Sequence, residues 1–191
     1  VYEAAHPVPD EHSILAAQAV RHLLSSTQAN DLVLFLISGG GSALLTYPTT
    51  GITLADLQFL TTQLLKCGAT IHQLNTLRKH LDEVKGGGLA AWAYPAHSVS
   101  LILSDVVGNS LDVIASGPTV PDPTTFQDAL NILSQFDLIH NTPPNILQHL
   151  KDGAKGSISE TLKPSDQRLA NVQNFIIASN EHGAKAACFQ A

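Results

Sequence analysis

Methionine is missing from this 191-residue sequence, which opens on Val1, so a native start is not represented. With Ala191 falling inside an apparent helix, the sequence reads as an internal fragment. Cysteine is nearly missing as well. Cys67 and Cys188 match no metal or redox spacing, which argues against a cysteine-built site and predicts buried thiols in a reducing cytoplasm. Positive charge is scarce: 10 Lys and Arg stand against 16 Asp and Glu, a net charge of −6 with no offsetting basic stripe. General binding to nucleic acid or to an anionic membrane is thereby disfavoured, while a local cationic pocket stays open. No apolar run approaches membrane-spanning length, no signal peptide is visible, and there is no internal repeat or low-complexity tract.

What remains is a rather apolar globular composition, 44% hydrophobic, of a length that suits one domain or an incomplete piece of a larger protein. Ile14, Leu15, Ala19, Val20, Leu23 and Leu24 form one helical stripe, and Leu57, Leu60, Leu64 and Leu65 another behind the N-cap candidate Thr53. Leu32–Ile37, Val99–Leu103 and Phe175–Ala178 are continuous apolar runs separated by helices. That pattern predicts an α/β fold, a parallel sheet with helices on both faces. Pro143-Pro144 starts a short helix through Leu150, and Lys151–Asp166 reads as a surface excursion.

Each predicted strand ends in Ser plus a polar residue or glycine: Ser38-Gly39, Ser104-Asp105 and Ser179-Asn180. In an open parallel sheet these ends share one edge, the edge where ligands bind. The first continues as Ser38-Gly39-Gly40-Gly41-Ser42-Ala43, a glycine loop between strand and helix. Permissive backbone, inward N–H groups and a helix N-terminus suit an anion there. The loop has neither a Walker lysine nor the G-x-G-x-x-G spacing, so it names no ligand; a tight structural turn is the plainer alternative.

A helix from about Ile71 puts Leu74, Leu77, Leu81 and Val84 on one stripe, with Asn75, Arg78, Lys79 and Asp82 beside it and Lys85 on the flank. Arg and Lys so grouped suit a carboxylate and transferring phosphoryl oxygens; a solvated basic face is the alternative. Asp105 leaves a buried strand end, where an ionised carboxylate needs Mg²⁺ or a cation as partner, unless it merely caps the following turn. Ala115-Ser116-Gly117-Pro118-Thr119 offers hydroxyls and a permissive glycine for a second anion cradle. The nine histidines show no metal-ligand spacing on one helix face. His6, in His6-Pro7-Val8-Pro9-Asp10, is placed to line a site, whereas His12, His22, His97, His140 and His149 read as surface residues.

Taken together, His6–Asp10, Asp31–Leu45 with its SGGGSALL, Leu74–Ala90 with its LNTLRKHLDEVKGGGLA, and Leu101–Thr125 with its LILSDVVGNSLDVIASGPTVPDPTT resemble the N-terminal domain of the glycerate 2-kinases that carry a C-terminal MOFRL domain. A weaker match lies at Ile176–Asn180. The resemblance implies a Rossmann-like sandwich and ATP- and Mg²⁺-dependent phosphorylation of D-glycerate at its 2-hydroxyl in the cytoplasm. On it, residues 1–191 form part of the N-terminal domain. A family Gly-Lys-Ala segment lies upstream of Val1 and the MOFRL domain beyond Ala191, so the fragment alone is expected to be inactive. Asn109 stands where many members have Asp, and Asp82 where many have Ser.

Carried onto this sequence, the resemblance makes Arg78, Lys79 and Asp105 catalytic, with Asp105 also the metal ligand. Ser38, Gly39, Gly40, Gly41 and Ser42 would hold an anionic group of nucleotide or substrate, and Asn75, Lys85, Ser116, Gly117 and Thr119 the substrate. A nicotinamide-dependent hydroxypyruvate reductase and a non-catalytic binding or oligomerisation module are the competing readings, and homo-oligomerisation is left open. With core uncovered by the segments outside the fragment, an exposed apolar patch is expected in every case.

Overall fold

The computed structural model describes residues 1–190; Ala191, the expected mid-helix terminus, lies outside the described residues. The three apolar runs pair as a parallel sheet in the order β1 (Leu32–Ile37), β2 (His97–Ser104), β3 (Val172–Ser179). Parallel neighbours need long crossovers, and these carry the helices. α1 (Glu11–Leu24) precedes β1. Next come α2 (Gly41–Leu44), α3 (Leu54–Lys66), α4 (Ile71–Leu81) and α5 (Gly88–Ala93), all ahead of β2. α6 (Phe126–Gln135) and α7 (Pro144–Ala154) lead to β3, and α8 (Asn180–Gln190) follows it. Asp10, Thr53, Thr70 and Thr125 start α1, α3, α4 and α6 with capping boxes, satisfying amides that have no intrahelical acceptor.

Two apolar clusters hold these elements. Ala17, Leu24, Val84, Leu89 and Ala93 pack with Val33 and Phe35 on one face of the sheet. A second cluster lies among α3, α4, α6 and α7, built around Leu60, Leu64, Leu77, Leu133, Ile146 and Leu150. α4 is the link between this helical layer and the loops at the sheet's edge. Leu74, Leu77 and Leu81 face the cluster, while Asn75, Lys79 and His80 are also buried, on the helix's other sides. The solvated basic face offered as an alternative for this helix is therefore overturned.

Leu32, Leu34 and Leu36 alternate to the sheet's other face, and Leu34 and Leu36 are 55% and 76% exposed. Phe175 and Ile177 of β3 are exposed as well, giving the apolar patch anticipated from the sequence. Three other expectations change. The helix behind the glycine loop is a single turn, so it adds little dipole to the loop. Residues 151–166 do not form a free excursion: the Asp122 amide donates to the Leu162 carbonyl at 2.8 Å, and Leu162 is buried. Cys67 and Cys188 are exposed, Cys67 because it caps α3 beyond the last packed turn at Leu64. No described helix is long and apolar enough to cross a membrane.

Candidate active site

The three strand ends do share one edge. Ile37 pairs with Ile102 and Ser104 with Ser179, so the glycine loop, Asp105 and Asn180 emerge side by side. Asn180 Nδ2 donates to the Asp105 carbonyl at 2.9 Å, tying two of the ends together. Beside this edge a cleft of about 310 Å³ is lined by His6, Gly40, Ser42, Asn75, Arg78 and Asp105, with an apolar wall that includes Leu74 and Val113.

The loop's glycines have steric reasons. Gly40 has φ +82°, in the left-handed region that L side chains rarely adopt. A Cβ at Gly39 would collide with the Asp105 carboxylate, and one at Gly41 would lie 2.8 Å from Ala115 Cβ. The Asp105 side chain therefore lies directly against the loop. The amides of Gly40, Gly41 and Ser42 donate to no partner among the described residues, and of the three residues Gly40 and Ser42 line the cleft.

Arg78 is half-buried at the cleft and makes no hydrogen bond or ion pair among the described residues. Burial pulls its pKa below the usual arginine value, with the charge of Asp82 opposing that pull. A cation held this way has surplus capacity for an anion, and its planar fork matches a carboxylate or phosphoryl group.

Behind the cleft runs a buried polar chain. Ser42 Oγ contacts Ser116 Oγ, Ser116 Oγ donates to Asn75 Oδ1 at 2.9 Å, and Asn75 Nδ2 donates to the Val113 carbonyl at 3.2 Å. Ala115, Ser116 and Gly117 follow one another at φ +51°, +61° and +61°. Two non-glycine residues in this region cost roughly 1–3 kcal/mol each. The start of α5 holds them there: the Gly86 amide donates to the Ser116 carbonyl at 3.1 Å and the Gly87 amide to the Gly117 carbonyl at 2.8 Å.

The other sequence-nominated residues lie outside the cleft. Lys79, 3% exposed, directs Nζ to Asp122 at 3.2 Å and Asp112 at 3.4 Å. Its charge is thus committed inside the protein. Lys85, also buried, pairs with Asp82 at 2.6 Å and donates to the Leu45 carbonyl. Burial raises the Asp82 pKa and lowers that of Lys85, while their mutual attraction opposes both shifts. Ser116, Gly117 and Thr119 are buried, Thr119 bonding Ser100 and Asn174 of the sheet. Ser38 and Gly41 line the opposite side of the loop, toward Phe35 and Pro118.

The buried charge network is the part that the sequence did not disclose. Asp122 accepts from Lys79, Thr124 and Thr161, and His80 Nε2 lies 3.3 Å from Glu160 and 3.9 Å from Asp122. Burial pushes the Asp122 pKa up, but Lys79, Thr124 and His80 together bring it below the ordinary carboxylate value. Pro121-Asp122-Pro123 was its sole local signal, an Asp between two residues unable to donate. Among the described residues no three His, Cys, Asp or Glu side chains gather as a metal site.

A family model described as "Domain of unknown function (DUF4147)" matches residues 1–151. Glycerate 2-kinase of Pyrococcus horikoshii is 49% identical over 191 residues, all of this chain and 42% of that protein. D-glycerate 2-kinase of Thermotoga maritima is 51% identical over 179 residues, 94% of this chain and 40% of the relative. A crystal structure titled glycerate kinase from Thermotoga maritima superposes with a TM-score of 0.85 at 43% identity, covering 97% of this chain and 42% of the other. The chain thus spans about two fifths of the length of the curated relatives it matches.

Proposed function

This chain belongs to the DUF4147 family, and from that premise we propose that the full-length protein transfers the γ-phosphoryl group of ATP to the 2-hydroxyl of D-glycerate, giving 2-phosphoglycerate and ADP. The observation that carries this reading is that the unpaired, half-buried Arg78 lines one cleft with Asp105 and with Gly40 and Ser42, whose amides have no partner among the described residues. Phosphoryl transfer asks for positioning and charge neutralisation more than for covalent chemistry. An arginine, two backbone donors and one carboxylate supply those needs.

In this reading Arg78 grips the glycerate carboxylate or offsets charge on the γ-phosphoryl group, and the amides of Gly40 and Ser42 hold anionic oxygens. Asp105 takes the proton of the 2-hydroxyl or holds Mg²⁺. A single carboxylate fits that ion, which commonly keeps waters and completes its shell with nucleotide phosphates. When bound, Mg²⁺ would neutralise phosphate charge. Lys79, Lys85, Ser116, Gly117 and Thr119 act from beneath, by fixing the loops rather than by touching substrate.

The proposal includes a cytoplasmic setting, and a MOFRL domain that completes a site to which this chain contributes part of the N-terminal domain. The relatives' greater length supports that division. A nicotinamide-dependent reductase is not favoured, because the loop lacks the G-x-G-x-x-G spacing that admits a dinucleotide pyrophosphate. The deciding assay offers the full-length protein D-glycerate, ATP and Mg²⁺ and identifies the product isomer. Formation of 2-phosphoglycerate is expected; absence of any phosphoryl transfer overturns the reading.

A further inference from the structure

The protons of the buried chain behind the cleft can be assigned one by one. The Val113 carbonyl can only accept, so the side of Asn75 that faces it at 3.2 Å is the amide nitrogen. That turns Asn75 Oδ1 toward Ser116, whose single proton goes to it at 2.9 Å. Having donated there, Ser116 Oγ can only accept from Ser42. The one proton of Ser42 is therefore directed inward, and Ser42 Oγ offers the cleft lone pairs alone. The arrangement cannot readily turn over, since Asn75 and Ser116 are buried and the Ser116 backbone is clamped by the Gly86 amide.

We propose that Ser42 recognises a hydroxyl group of the bound ligand by accepting its hydrogen bond, and that Asn75 and Ser116 are positioning residues that set this polarity. The anion of the same ligand takes its donors elsewhere, from the loop amides and Arg78. A cleft with donors for an anion and a fixed acceptor beside them is complementary to a small hydroxy acid, and it disfavours the carboxylate that lacks the hydroxyl. The inference rests on the D-glycerate reading above and adds to it the group that reads the ligand hydroxyl whose proton Asp105 does not take.

The test is calorimetric titration of the full-length protein with D-glycerate and, separately, with inorganic phosphate, alongside the kinase assay. Ser42→Ala is expected to weaken D-glycerate binding about fivefold to tenfold while phosphate binding stays within about twofold. Ser42→Thr, which keeps the oxygen, recovers most of the loss. Ser116→Ala frees the Ser42 proton, so D-glycerate binds more weakly and phosphate more tightly, a divergence that a merely structural role would not produce. Equal weakening of phosphate and D-glycerate in Ser42→Ala, or no change in either, overturns the proposal. Wild-type protein that binds D-glycerate without phosphorylating it loses the kinase reading and leaves the binding ratios to decide the role of Ser42. Wild-type protein that binds no D-glycerate overturns both.

Discussion

An arginine held half out of water with no carboxylate paired to it is unfavourable until an anion arrives, and Arg78, which feels the charge of Asp82 without bonding it, is such a residue. Its removal should therefore harm function far more than folding. Arg78→Ala in the full-length protein is expected to lower kcat/KM for D-glycerate about 100-fold, the size of a lost charge-assisted interaction, with Tm shifted by less than about 2 °C. Steady-state kinetics and thermal melts check both halves. Gly39 makes the opposite kind of test, since it contributes space. Gly39→Ala must displace the Asp105 carboxylate, and the expected outcome is a fall in kcat with secondary structure unchanged by circular dichroism. The left-handed pair Ala115 and Ser116 is compact strain beside the cleft, and the Gly86 and Gly87 amides are what sustain it.

On the scale of elements, α4 decides what the site can be. It presents leucines to the helical cluster and Arg78 to the cleft, while Lys79 and His80 enter the charge network around Asp122. Removing one partner of a buried pair leaves the other charge uncompensated. Asp122→Asn is accordingly expected to cost about 3–5 kcal/mol, measured by urea denaturation near neutral pH. The pH dependence has a definite sign. A carboxylate held below its ordinary value of 3.8 contributes stability that is complete above that value and is lost as pH falls through the lower folded pKa. Asp122→Asn should therefore flatten the acid limb of the stability profile below about pH 4. An acid limb as steep as wild type would remove Asp122 from that role.

For the whole molecule, the sheet is asymmetric: one face lies under α1 and α5, and the other shows Leu34, Leu36, Phe175 and Ile177 to solvent. Patches of this kind drive association. The 191-residue chain, purified by itself, is expected to bind an apolar fluorescent dye and to associate with rising concentration in sedimentation runs. Leu34→Thr with Leu36→Thr, which keeps strand propensity, should reduce both signals; unchanged association would place the sticky surface elsewhere.

Continuous apolar runs sufficed for the sheet and its parallel sense, and helical spacing for α4 as far as Leu81, because both patterns are local properties that each segment carries by itself; Val84, expected on the same helical stripe, packs instead with α1 and α5 beyond the helix end. The glycine loop and Asp105 were legible for the same reason, as strand endings of unusual composition. Tertiary structure alone decided which charges are free. Arg78 and Lys79 are sequence neighbours, yet one faces an open cleft and the other meets Asp112 and Asp122. A difference of about 100° around a helix sends adjacent side chains to different surroundings. The partners waiting there come from residues 33 and 43 positions farther along the chain, a separation that no helical or strand period encodes.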